Sequence, residues 1–128
     1  MKDSFDEKKR MILAFRKYSR LGLSAPSLDA FDAFRRIEGC CRNRREAHEL
    51  LAVYDTLRFL RLTGETDAIK ALYAVYFYGS RRPLRKNDVT NRVQRHAYET
   101  SCDARTVYRR LSFAFGIYRK MLSDNLFD

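Results

Sequence analysis

Apolar residues in this chain recur at steps of three and four with polar residues between them, a period that predicts helices rather than strands. Between residues 5 and 21, Met11, Ile12, Phe15 and Tyr18 form one stripe among Lys8, Lys9, Arg10, Arg16 and Lys17. The reading is an amphipathic helix with a cationic opposite face, ended near Gly22. Ser24-Ala25-Pro26 suits the start of a second helix, since proline fixes φ and its missing amide costs nothing in a first turn. Leu28, Phe31, Phe34 and Ile37 then recur every third residue until Gly39 and are expected to be buried. A third helix over residues 42–62 carries Ala47, Leu50, Leu51, Tyr54, Leu57 and Leu60 on a face wide enough for two neighbours, and stops at Thr63-Gly64.

A fourth helix restarts at Glu65, whose acid and that of Asp67 favour the positive end of the helix dipole. It continues as core through Ile69, Leu72, Tyr73, Val75 and Tyr76 to Gly79. The basic connection Ser80-Arg81-Arg82-Pro83-Leu84 delivers a helix over residues 86–98, in which Val89, Val93 and Ala97 share a face and Arg92 and Arg95 lie off it. Asp103 is placed to accept a hydrogen bond from the backbone amide of Thr106 or Arg105 and so cap a last helix over residues 104–123. Its buried stripe is Val107, Leu111, Ala114, Phe115, Tyr118 and Leu122, which leaves Arg105, Thr106, Arg109 and Arg110 outward near its amino end. The expected fold is all-α, a bundle of about six helices ending in a helix-turn-helix.

Composition narrows the function classes. A chain of 128 residues with 45% hydrophobic and 33% charged residues has the make-up and size of one globular domain. It has no run of about 18 apolar residues, and the start Met1-Lys2-Asp3-Ser4-Phe5-Asp6-Glu7 lacks the apolar stretch of a secretory signal, so a cytoplasmic protein without a membrane span is expected. Three cysteines, with Cys40 and Cys41 adjacent, read as reduced thiols.

The net charge is +10, arginine far outnumbers lysine, and residues 80–120 hold eleven basic residues against three acidic ones. Guanidinium groups grip phosphates bidentately, so the pattern points to duplex DNA as partner. In a helix-turn-helix the second helix enters the major groove by its first turns, where arginine forks onto guanine and the helix amino terminus attracts phosphate. Candidate DNA contacts are therefore Arg105, Thr106, Tyr108, Arg109 and Arg110 on the last helix, with Arg81, Arg82, Arg85, Lys86, Arg92 and Arg95 ahead of it. The competing readings are an αα-hairpin with a solvated basic face, an interaction module docking an acidic partner such as RNA polymerase or a packaging component, and a helical RNA binder.

The stretch Ile69-Lys70-Ala71-Leu72-Tyr73, through Leu84-Arg85-Lys86-Asn87-Asp88-Val89, to Asp103-Ala104-Arg105-Thr106-Val107-Tyr108-Arg109-Arg110-Leu111 resembles region 4 of bacterial sigma factors. It is more closely similar to phage-encoded transcriptional regulators of the ArpU and RinA kind. The resemblance implies that Asp103 opens a recognition helix on which Arg105, Thr106, Val107, Tyr108 and Arg109 face DNA or support the helix. The segment from Tyr98 to Cys102 is longer than the compact turn of those families, and residues 1–63 match no sigma core-binding region, so a complete sigma factor is not expected. Residues 1–63 are assigned to packing or dimerisation and 64–128 to DNA binding, with one compact domain as the alternative.

Catalytic chemistry finds no motif. Cys40, Cys41 and His48 lack a second pair at metal-ligand spacing, and His48 and His96 have only sequence neighbours, Glu46, Glu49 and Glu99, to suggest acid-base work. With no glycine-rich phosphate loop and no nucleophile motif, the expectation is a non-enzyme without metal or cofactor. Eight tyrosines and nine phenylalanines fall mostly on the buried stripes rather than on a base-stacking surface, with Tyr78, Tyr98 and Tyr108 left open.

Overall fold

The computed structural model describes residues 2–23 and 30–125, and every regular element among them is helical. In chain order these are α1 (Lys2–Arg20), α2 (Ala30–Cys40), α3 (Arg44–Leu62), α4 (Thr66–Leu72), a π-helical turn (Tyr73–Phe77), α5 (Asp88–Glu99) and α6 (Ala104–Asn125). The expected second-helix start, Ser24 to Leu28, lies outside the described residues.

Helix ends follow local chemistry. After α1 the amide of Leu23 returns to the Tyr18 carbonyl (3.2 Å) and that of Gly22 to Ser19 (3.0 Å), a Schellman closure that needs the left-handed φ of +73° which Gly22 adopts readily. Asn43 caps α3 by accepting the Glu46 amide at 2.9 Å.

The core draws on both sides of Thr63-Gly64. From α3, Leu50, Val53, Leu57 and Leu60 are fully buried, and this helix packs against α1, α2, α4 and α6. Phe15 of α1 sits among Phe77 (6.0 Å between ring centroids), Phe115 (5.6 Å) and Tyr118 (5.4 Å), joining α1, the π turn and α6 through aromatic contact. Ion pairs on the rim, Arg10 with Glu49 at 3.2 Å, Lys17 with Glu46, and Arg119 with Glu7 at 2.8 Å, tie α1 to α3 and α6.

Two expectations about burial are corrected. In α2 the buried residues are Ala33 and Ile37, one helical turn apart, whereas Phe31 is 69% exposed and Phe34 is also outside the core. A step of three drifts around a helix of 3.6 residues per turn, so Phe31, Phe34 and Ile37 do not share one face. Arg16, expected on the cationic face of α1, is only 3% exposed.

The π turn explains Arg16. The amide of Tyr78 bonds five residues back to the Tyr73 carbonyl at 2.9 Å, and the helix then breaks where Tyr78 turns extended and Gly79 takes φ +62°. The carbonyls at this end are met by two arginines and a serine. The Arg16 guanidinium donates to the carbonyls of Tyr76 (3.1 Å), Gly79 (3.0 Å) and Arg82. Arg92 of α5 donates to those of Val75 (2.9 Å) and Tyr78 (2.8 Å), and Ser19 donates to Phe77 at 3.2 Å. Burial foremost, and then Arg92 and Arg20, hold the Arg16 guanidinium below its usual pKa.

Replacing Arg16 by Ala is expected to cost about 2–4 kcal/mol in urea denaturation, because buried carbonyls lose their donor. Arg16→Lys should recover only part, since one ammonium nitrogen replaces the two guanidinium nitrogens that reach the three carbonyls. Leu111, at 3% exposure between α5 and the core, gives an independent test. Leu111→Ala is expected to cost about 2–5 kcal/mol in the same assay.

Candidate nucleic-acid interface

The segment joining α5 to α6 closes α5 in the Schellman manner seen after α1. Cys102 donates its amide to the Ala97 carbonyl at 2.9 Å and Ser101 to Tyr98 at 3.2 Å, with Ser101 at φ +56° where glycine is more usual. Asp103 then starts α6 as expected, accepting the amide of Thr106 at 2.8 Å and its hydroxyl at 2.9 Å. Val93 and Ala97 of α5 and Val107 and Leu111 of α6 are buried, which fixes the rotation of both helices. The face of α6 opposite Val107, Leu111, Ala114, Phe115 and Tyr118 is left for solvent.

The sequence-selected residues divide into two groups on this scaffold. Arg105 and Arg109 are exposed and one turn apart on α6, Tyr108 is 42% exposed beside them, and Arg95 is exposed on α5. Arg81, Arg82, Arg85 and Lys86 are exposed in the segment leading to α5. The others are engaged within the fold. Thr106 is half-buried with its hydroxyl donated to the Asp103 cap. Arg110 is half-buried, lies 3.6 Å from the Asp67 carboxylate and donates to the Cys102 sulfur at 3.9 Å. Arg92 turns back onto the π turn, with its guanidinium also 5.5 Å from the Tyr78 ring centroid.

Ahead of α5 the chain forms a cleft of about 480 Å³ lined by Arg82, Arg85, Arg92, Asp88 and the backbone around Gly79 and Pro83. Asp88 accepts the amide of Arg85 at 2.7 Å, and Asn87 adopts a left-handed φ of +72°. A cβ at Gly79 would lie 3.2 Å from the Arg92 guanidinium, so both the positive φ and the space favour glycine there. The exposed Arg82 and Arg85 beside the amino terminus of α5 suit a phosphate oxygen, while the Arg92 guanidinium is taken up by the carbonyls of Val75 and Tyr78.

The remaining aromatic and thiol groups are placed as follows. Tyr78 and Tyr98 are exposed, the latter at 88%. Tyr76 is buried behind α6, and burial pushes its hydroxyl up to about 12. Cys40 is exposed, and Cys41 and Cys102 are half-buried free thiols. Among the described residues no group of three His, Cys, Asp or Glu side chains is arranged to hold a metal ion, and no helix is long and apolar enough to cross a membrane.

The Thr106 amide, then the Thr106 hydroxyl, hold the Asp103 carboxyl below its ordinary value of 3.8. A carboxyl with a lowered native pKa stabilises the fold fully above its unfolded value and loses that contribution as pH falls through the native value. Asp103→Ala is therefore expected to melt below wild type at neutral pH, with the gap closing only as the pH drops beneath 3.8. Paired thermal melts from neutral to acid pH measure it.

Comparison with known proteins finds no protein-family profile, no curated protein and no solved structure that matches this chain, so the reading of its interface rests on the geometry above.

Proposed function

We propose that this chain is a sequence-specific duplex-DNA-binding transcriptional regulator of phage or mobile-element type, presenting the first turns of α6 to the major groove. The observation that carries this reading is the outward pair Arg105 and Arg109 on a capped helix amino end, with their helix fixed from behind by Val107 and Leu111. Four residues of helix rise about 6 Å, nearly twice the base-pair rise of about 3.4 Å, so the two arginines are spaced for different base pairs rather than one. Tyr108 and Arg95 flank them, and the basic cleft before α5 takes the sugar-phosphate backbone.

Thr106 and Arg110 take supporting parts in this reading, because the cap and Asp67 already engage them. A single helix-turn-helix reads few base pairs, and a homodimer on a two-fold site supplies the rest. RNA polymerase is a further protein partner within the same reading.

A second reading has its own observation. A groove of about 700 Å³ beside the π turn is lined by Ile69, Tyr73, Ala74 and Phe77 and rimmed by Arg61 and Lys70, which fits an amphipathic acidic segment of a protein partner. In that case the chain is an interaction module and its basic helices do not read bases.

Selection from a random duplex pool, followed by binding at two salt concentrations, separates the two. Arg105→Ala and Arg109→Ala are each expected to cost about 1–3 kcal/mol on the selected site and to relax preference at one base pair. Arg85→Ala should weaken selected and random duplexes alike and reduce the salt slope by about one. If neither α6 variant differs from wild type on the selected site, the interaction module takes the place of the DNA reader. Dimerisation is checked by sedimentation with and without the selected duplex, where a monomer in both states removes the two-fold arrangement.

A further inference from the structure

A cavity of about 240 Å³ opens between α1 and the middle of α6, with the buried side chains of Leu111 and Phe115 as its floor. Both charged residues on its lining, Lys8 of α1 and Arg119 of α6, are cations. Glu7 holds the Nε of Arg119 at 2.8 Å, and a guanidinium with five N–H groups keeps further donors beyond that one contact. The hydroxyl-bearing Tyr108 and Ser112 complete the polar lining, and all four of these residues are exposed. Cations and hydroxyl donors together, with no carboxylate among the lining residues, suit an anion.

The position of the cavity along α6 names that anion. Arg105, Ser112 and Arg119 follow one another at seven residues, close to two full turns, so they lie along nearly one side of the helix. It is the side that also carries Arg109 outward. From Arg105 to Arg119 the helix rises about 21 Å, whereas the major groove of B-DNA is about 12 Å wide. A helix that enters the groove by its first turns therefore meets the edge of the groove before residue 119, and that edge is a row of phosphates. α1 lies beside the same stretch of α6 and brings Lys8 to it.

We propose that this cavity takes one phosphate of the DNA backbone, at the edge of the groove that Arg105 and Arg109 enter. Lys8 and Arg119 supply the charge, and the Tyr108 and Ser112 hydroxyls donate to the phosphate oxygens. The assignment rests on the DNA reading and adds to it a backbone contact from α1, a helix outside the helix-turn-helix. Such a contact sets how far the first turns of α6 enter the groove without itself choosing a base.

The test measures binding of the full chain to its selected duplex and to random duplex at two salt concentrations. Lys8→Ala is expected to weaken both about three- to tenfold and to lower the salt slope by about one. Lys9→Ala removes the same charge from the exposed neighbour that is not on the lining, and should change affinity by less than about twofold. Ser112→Ala should weaken binding about threefold with the slope unchanged. Single methylphosphonates along the selected site, each removing one phosphate charge, locate the contact: at one position wild type loses affinity and Lys8→Ala loses no more. The proposal is overturned if Lys8→Ala binds like wild type, if Lys9→Ala weakens binding as much, or if no single neutral phosphate cancels the Lys8 difference. Relaxed base preference in Arg105→Ala and Arg109→Ala alongside any of those outcomes keeps the DNA reading and removes only the phosphate site. A chain that selects no duplex removes both.

Discussion

A buried guanidinium holding backbone carbonyls is the constraint on which the arrangement of this molecule depends. Arg16 comes from α1, yet it donates to Tyr76, Gly79 and Arg82, the stretch where one helix ends and the path to the next begins. Arg92 reaches the same turn from the other side, through Val75 and Tyr78. Two like charges so close repel, and the negative end of a helix dipole offsets part of that repulsion. Asp88, at the start of α5, also favours the charged form of Arg16. The position of α5, and through it the aim of α6, is thereby tied to a side chain more than sixty residues away in sequence.

α6 joins two kinds of demand along one rod. Its first turns carry exposed arginines on a capped end, and its middle and later turns put Ala114, Phe115 and Tyr118 into the aromatic cluster around Phe15. Because the helix is anchored over its later turns, the outward side chains at its start are presented by a rigid support rather than by a loop. A ligand that met that end would spend no binding energy on ordering the backbone.

The legibility of the sequence follows from which forces are local. The stripe Val107, Leu111, Ala114, Phe115 and Tyr118 is fully visible in the spacing, because a long amphipathic helix leaves no other way to bury those residues. Asp103 is equally legible, since capping acts within three residues. Phe31 and Phe34 are not, because a three-residue step admits more than one helical phase and only the partner surface selects between them. Arg16 and Arg92 look like solvated or nucleic-acid-binding cations in sequence. Their role depends on carbonyls at the end of a π turn, a feature without a signature in composition or period. The same holds for Tyr118, whose ring was readable as core while the want of a partner for its oxygen was not.

The π turn also governs how this chain can change length. An ordinary helix advances about 100° per residue, so removing one residue from Tyr73–Phe77 would close the ladder and rotate one side of the helix against the other by that angle. Val75, Tyr76 and Phe77 could no longer all face the core, and the acceptors for two guanidinium groups would point elsewhere. Related chains that keep Arg16 and Arg92 should therefore keep the spacing between residues 73 and 79 without insertion or deletion.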